Sequence, residues 1–491
     1  MSDKEPRPST SRRIFLAGSA ATLGAGVVTG PVTGPVSAAA REHHGHHHRD
    51  RLRFEERWPD GPGRRNRVQE PDHELRSILA EIDRHRIEAT VRKLVSFGTR
   101  HTLSTQDDPH HGIGAARDWI FKTMRSYAAH SGGRMTVEKQ SFIQPPADRV
   151  PTATRITNIL ATLHGSRFPE RIYLISGHYD SRVTDVMDST SFAPGADDDA
   201  SGVAVSMELA RVLATRRPEA TIVLAAVAGE EQGLYGSTHM AQQFKDAGAD
   251  VQGMFTNDIV GSSTADDGTR DPHSIRLFAE GVPTDETPEE AAIRQAVGGE
   301  NDSASRQLAR FVTEVADNRF TDMHVRMVYR RDRYLRGGDH IPFLERGYPA
   351  GRFTEPNENF DHEHQDVRVE NGVQFGDLPR FCDFGFIART ARVNAATLWS
   401  LAAAPGTPKN AQVLTTALTN DTDLLWDATP GAAHYEVVWR PTTEAEWTHV
   451  IDVGRVTHAH INLSKDNVFF GVRSVDHHGH RSPAAFPTPK L

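Results

Sequence analysis

The sequence predicts an α/β fold, a mostly parallel mixed sheet flanked by helices, followed by a C-terminal all-β sandwich. Three observations carry this. Ile172-Tyr173-Leu174-Ile175 and the run Ile222 to Ala228 are short apolar segments bounded by Gly, the habit of strands buried on both faces of a parallel sheet. Between them Val203, Met207, Ala210 and Leu213 recur at helical spacing, giving strand, loop, helix, strand. Beyond Pro405-Gly406-Thr407-Pro408, a linker by composition, Leu425-Trp426, Tyr435 to Trp439 and Phe470 to Val475 read as alternating strands separated by turns.

At 491 residues the chain calls for two or three domains. A net charge of −9 gives no reason to expect nucleic acid as a partner. Cys382 is the only cysteine, so an intrachain disulfide is excluded and a cysteine-based metal site or thiol protease is disfavoured.

Taken in order, residues 1–40 read as an export signal. Ser11-Arg12-Arg13-Ile14-Phe15-Leu16 opens a weakly apolar stretch ending at Ala38-Ala39-Ala40, and the paired arginines resemble the twin-arginine type. Export places the mature protein in a periplasmic or extracellular space, with no stable membrane insertion once the signal is removed. Residues 41–70, with His43-His44-Gly45-His46-His47-His48, read as a disordered linker or pro-segment. A catalytic domain is expected over 71–404. It starts with helices through Leu75 to Ile87 and Ile113 to Met124, then strands over Met135 to Gln144 and Arg155 to Leu163. Gly253 to Asn257 and Pro349 to Thr354 are further strands, Ala304 to Val315 and Asp383 to Leu401 are helices, and Gly261 to Glu300 reads as a loop-rich excursion. The tail, 405–491, resembles a fibronectin type III domain in its Trp426-x-x-x-Pro430 step and Tyr435-x-Val437 strand. It reads as a spacer or a module for surface or polymer contact, dispensable for turnover.

The chemistry gathers at the ends of the apolar runs. His178 and Asp180 follow the first, and Glu230 and Glu231 follow the second. Asp197-Asp198-Asp199 precedes the helix between them, and Asp258 ends the next strand. Ligands collect at the carboxyl ends of parallel strands. Imidazole and carboxylate there, with no Gly-rich phosphate cradle, are a metal-site signature. With one residue between them on an extended segment, His178 and Asp180 face the same way, so Asp180 is a candidate to fix the imidazole of a metal-bound His178.

These segments resemble the secreted di-zinc aminopeptidases of metallopeptidase family twenty-eight, clan MH. The matching stretch runs from Val95-Ser96-Phe97-Gly98-Thr99-Arg100 to Gln365-Asp366. It includes Gly177-His178-Tyr179-Asp180-Ser181, Gly195 to Gly202, Gly229 to Ser237 and Gly338-Asp339-His340. The resemblance implies a zinc exopeptidase fold, a peptide substrate and two Zn²⁺ per chain. Asp198 would bridge the ions, because Ser201-Gly202 follow at the family's offset. Glu231 and His362 would complete one zinc, and His178 and Asp258 the other. Glu230 would be the general base, with Asp180 its companion in the catalytic set. His362 is preferred to His364 because Gln365-Asp366 stand at the family's offset from it. Three ligand carboxylates and a bridging hydroxide would balance the four charges of the pair, so the centre tolerates burial. Histidine and carboxylate ligands describe catalytic zinc, whose bound water has a pKa of about 7.

Two features depart from the pattern. Asp361 stands where some secreted members have a carbonyl-binding tyrosine, and Tyr334 is the substitute that the sequence offers. Arg330, Arg331, Arg333 and Arg336 read as a solvated basic loop, or else as a seat for a substrate carboxylate as in the glutamate carboxypeptidase branch. The reading is an exported zinc aminopeptidase. Its rivals are a carboxypeptidase or other amidohydrolase on the same scaffold, and a non-catalytic protein of the transferrin-receptor-ectodomain type.

Overall fold

The computed structural model describes residues 61–490. In chain order its strands are β1 (Arg64–Arg65), β2 (Met135–Gln144), β3 (Thr154–Leu163), β4 (Phe168–His178), β5 (Ala220–Val227), β6 (Asp250–Asn257), β7 (Ser274–Phe278), β8 (His324–Val328), β9 (Ala350–Thr354), β10 (Arg368–Glu370), β11 (Val373–Phe375), β12 (Gln412–Leu414), β13 (Thr422–Leu425), β14 (His434–Pro441), β15 (His449–Gly454), β16 (His458–Ile461), β17 (Val468–Val475) and β18 (Thr488–Lys490). An eight-stranded sheet runs β2-β3-β5-β4-β6-β9-β7-β8. Its centre, β5-β4-β6-β9, is parallel, and antiparallel pairings join β2, β3 and β7 to it.

The central strands are covered on both faces, which is why they lack the alternation of a half-exposed strand. Tyr173, Ile175, Leu224 and Phe255 enter one apolar cluster, with the helices Ala200–Leu213 and Phe384–Ala403. Their neighbours Leu174, Val223, Val227 and Met254 enter a second, beneath Tyr235–Asp246 and Ile341–Leu344. The expected strands and helices of the core form with bounds shifted by a few residues, except that the helical stretch through Leu75 to Ile87 is two helices, His73–Ala80 and Arg84–Val95, parted where Asp83 caps the second. The excursion after Gly261 is more regular than expected: it contains β7 and the helix Pro288–Val297, and β8 follows. Both strands are short, with charged residues between apolar ones, and they lie at the far edge of the sheet, where alternation is a weak signal.

The C-terminal strands, joined by β1, form two four-stranded sheets, β1-β15-β14-β17 and β16-β13-β12-β18. Trp426, Val437, Trp439, Ile461 and Phe470 are buried in one cluster of this region. The strand β1 corrects the reading of 61–70 as disordered linker. Arg64 and Arg65 pair with Val450 and His449, and the Trp439 indole donates to Pro62 O at 2.8 Å. The segments expected to be an export signal and a His-rich linker, residues 1–60, lie outside the described residues.

Buried ion pairs join this module to the catalytic body. Asp302 accepts from Arg310 Nη1 at 2.8 Å and from Arg440 Nη2 at 2.7 Å. Arg473 on β17 donates to Glu314, Glu436 and Asn66, and Trp447 lies against the guanidiniums of both Arg310 and Arg440. The tail therefore packs against the catalytic body through buried charge. Among the described residues no helix is long and apolar enough to cross a membrane.

Candidate metal centre

The carboxyl ends of β4, β5 and β6 open together, and the helix Ala200–Leu213 starts beside them. Asp199 caps that helix by accepting from Gly202 N, and its other oxygen accepts from His178 N at 2.8 Å. Gly177 has no room for a side chain, since a Cβ there would meet Gly202 C at 2.3 Å. This close seating of helix on strand brings the aspartate loop over the sheet. Of the three adjacent aspartates, Asp197 turns to Gly261 N and Asp199 to His178 N. Asp198 alone faces the imidazoles.

Asp198 stands between two of them. Its Oδ1 is 2.9 Å from His178 Nε2, which is 3.8 Å from Asp258 Oδ1. Its Oδ2 is 2.7 Å from His364 Nε2, which is 3.1 Å from Glu231 Oε1. His178, Asp198, Glu231 and Asp258 are all at most 5 % exposed. Asp198 Oδ1 and Glu231 Oε1 face imidazole nitrogens without making an aligned hydrogen bond. Buried carboxylates are costly unless compensated, and here they converge with imidazole nitrogens on shared points. Burial alone would raise the Asp198 carboxyl, but His364 and His178 hold it well below the usual range. Burial opposes charge on His178, and Asp180, Asp198 and Asp258 raise it nonetheless.

The structure brings His364, not His362, to these carboxylates. His362 turns away, its ring stacked on Phe381 with centroids 3.5 Å apart, and lines a small pocket with Asp197, Glu355 and Phe381. His364 takes the place expected of it. Its backbone has a left-handed φ of 52°, and just beyond it Asp366 is anchored through its N–H to Thr184 Oγ1 at 3.1 Å. The turn between these points sets the ring's direction, so distance along the chain from Gln365-Asp366 is a poor guide. Glu363, which the sequence did not single out, also has a carboxylate oxygen within 4.8 Å of ligand atoms of Asp198 and His364.

The remaining expected residues gather here too. Asp180 Oδ1 is 3.5 Å from His178 Nδ1, and its Oδ2 accepts from Thr102 Oγ1 and Glu231 N, tying the end of β4 to the paired glutamates. Glu230 lines a cleft of about 610 Å³ together with Asp198, Glu231, Asp258 and His364. Burial, then the charges of Asp258, Glu231 and Asp339, push its carboxyl well above the usual range, against the pull of His178. Tyr334 is 75 % exposed and lies under the Arg330 guanidinium, outside the cleft. The basic loop is not simply solvated: Arg333 binds Asp332 and Glu358, and Arg336 binds Glu358 and Glu363.

Three supporting groups were not singled out from the sequence because their partners are remote along the chain. Asp377 accepts from the backbone N–H of both Asp197 and Asp198 at 2.8 Å. The fully buried Arg100 donates to the carbonyls of Tyr179, Pro194 and Gly195. Arg352 Nη1 lies 2.7 Å from Asp258 Oδ2 and offsets the charge of that carboxylate.

The model of peptidase family M28 matches residues 158–371. A probable zinc metalloprotease from Leptosphaeria maculans is 58 % identical over 421 residues, 85 % of this chain and 98 % of that protein. Another from Pyricularia oryzae is 56 % identical over 430 residues, 86 % of each chain. The chain belongs to peptidase family M28, as a zinc metallopeptidase. Among solved structures, the LapA aminopeptidase of Legionella pneumophila is similar at 18 % identity with a TM-score of 0.48, over 69 % of this chain and 78 % of that one. A likeness that loose carries no argument about activity.

Proposed function

We propose that this chain is an exported exopeptidase that holds two zinc ions and removes N-terminal residues from peptides. The observation that carries the metal centre is the position of Asp198 between two imidazoles, with Asp258 and Glu231 completing the two clusters. Zinc bonds to nitrogen and oxygen are about 2.0–2.2 Å, so ligand atoms on one ion stand roughly 3–3.5 Å apart. The observed contacts straddle that range, and convergent buried carboxylate oxygens and imidazole nitrogens are the groups a cation satisfies. His178, Asp198 and Asp258 would hold one ion, and Asp198, Glu231 and His364 the other. When bound, zinc acidifies water and polarises the scissile carbonyl.

The chain's own groups supply the rest. Glu230 takes the proton of the attacking water and delivers it to the departing amine. Asp180 orients His178 and fixes the backbone of Glu231. The preference for the amino end rests on the motif resemblance. A carboxypeptidase is the second reading, favoured by the arginines that line the cleft. The twin-arginine-like start supports export, and the paired β-sheets of residues 412–490 support a fibronectin type III-like module. Assay with long peptides separates the readings: acetylation of the amino end should abolish turnover and amidation of the carboxyl end should leave it. The reverse pattern would establish the carboxypeptidase.

A further inference from the structure

Four arginines line the cleft: Arg149, Arg182, Arg333 and Arg336. They fall into two kinds. Arg333 and Arg336 are committed to Asp332, Glu358 and Glu363, as described above. Arg149 and Arg182 have no carboxylate within hydrogen-bond distance. Arg149 Nη1 donates to the backbone carbonyl of Glu231 at 3.1 Å. Arg182 Nε donates to Val183 O at 3.2 Å and stands 4.0 Å from Glu231 Oε2. Among the described residues the Nη atoms of Arg182, and Nε and Nη2 of Arg149, meet no acceptor. Both guanidiniums thus flank Glu231 from different loops with donors left over. Arg182 is 17 % exposed in its side chain and Arg149 is exposed, and both line the cleft.

We propose that Arg149 and Arg182 form a clamp for a carboxylate of the substrate, close to the scissile bond. Guanidinium forks match carboxylates in shape and charge. Glu231 does not satisfy them: it touches Arg149 only through its backbone, and in the reading above its side chain is given to the metal. The distance to the scissile bond follows from size. A cleft of about 610 Å³ is on the order of 10 Å across, which an extended chain spans in ~3 residues. The recognised group is therefore an acidic side chain next to the cleaved bond or the C-terminal carboxylate of a very short peptide. A long peptide with a remote carboxyl end gains nothing from it, which keeps the inference compatible with an aminopeptidase.

The inference rests on the peptidase reading for its substrate, so its test measures binding separately from cleavage. Alanyl-glutamate amide, alanyl-glutamine amide and alanyl-glutamine are compared, each made inert by methylation of the scissile amide nitrogen and titrated calorimetrically into the zinc-loaded protein. The unmethylated peptides are assayed in parallel. Either carboxylate-bearing analogue should bind ~10–100-fold more tightly than alanyl-glutamine amide, the range for hydrogen bonds between charged groups. The two arms report which carboxylate is recognised. Arg182→Met and Arg149→Met should each shrink that ratio, and Arg182→Lys should restore part of it. A role confined to folding would weaken all three analogues together and leave the ratio intact. Equal binding of the three, or a ratio unchanged in both Met variants, overturns the clamp. Carboxylate-selective binding without cleavage of any unmethylated peptide would count against the peptidase reading and leave the clamp standing.

Discussion

Replacing Asp302 with Ala tests whether the C-terminal module is held to the catalytic body by buried charge. Asp302 is the shared partner of Arg310, on the helix Ala304–Ala316, and Arg440, on β14. Side-chain exposures are 1 % for Asp302, 1 % for Arg310 and 3 % for Arg440. Removing one partner of a buried pair costs ~3–5 kcal/mol, because the survivor stays buried without compensation. Here two guanidiniums lose their counterion together. Each keeps some carbonyl acceptors: Arg310 those of Asn301 and Ala445, Arg440 that of Glu444. These moderate the loss toward the lower end, ~3 kcal/mol, still a large share of a total on the order of 5–15 kcal/mol. Urea unfolding at neutral pH reads it as a lower midpoint at unchanged slope. The exposed Arg92–Glu88 pair, spaced i to i+4 on a helix, is the control, worth ~0.3–0.5 kcal/mol. If Asp302→Ala costs no more than that control, the module is not anchored by this pair and the reasoning fails.

Three further outcomes are expected. Ending the chain near Pro405 should give an unstable or aggregating protein, since it strips cover from Asp302, Arg310 and Glu314; a truncated chain with native stability and turnover would restore the dispensable-tail reading. Glu230→Gln should keep its zinc while turnover falls ~10²–10⁴-fold, whereas Glu231→Gln should lose zinc, and elemental analysis beside turnover separates the two. Burial raises Glu446 in the folded state from its ordinary value to about 7, so the fold favours its neutral form, and stability falls as pH rises from the ordinary glutamate range through about 7. Glu446→Gln should therefore be stabilising above that window and near neutral at its acid end, which unfolding midpoints at several pH values would show; a variant equally stable at both ends would refute it.

What could be read from the sequence follows the range of the interactions involved. Asp198 was legible through the family resemblance, whose Asp-x-x-Ser-Gly offset marks it among three identical neighbours, and the structure turns the other two toward Gly261 N and His178 N. The strands behind His178, Glu231 and Asp258 were legible because burial on both faces leaves apolar runs. His364 was not, because the choice between two histidines depends on one left-handed turn that composition does not encode. Asp377, Arg100 and Arg352 act on residues far away in the chain, so nothing near them announced their partners. The arginines before Asp339 drew attention as a run, yet two of them are spent on Glu358 and Glu363. Arg149 and Arg182, with donors to spare, stand alone in the sequence. The segment Gly61 to Glu70 reads as linker because its order comes from pairing with β15, more than three hundred residues later.

The central claim is that two ions share Asp198 and that His364, not His362, completes the second cluster. Zinc content per chain, measured by elemental analysis after exhaustive dialysis, tests it most directly in the parent protein and in His364→Ala and His362→Ala. The account predicts about two zinc ions in the parent and in His362→Ala, and about one in His364→Ala, with turnover lost only in the last. Full zinc in His364→Ala together with a lost ion in His362→Ala would contradict it.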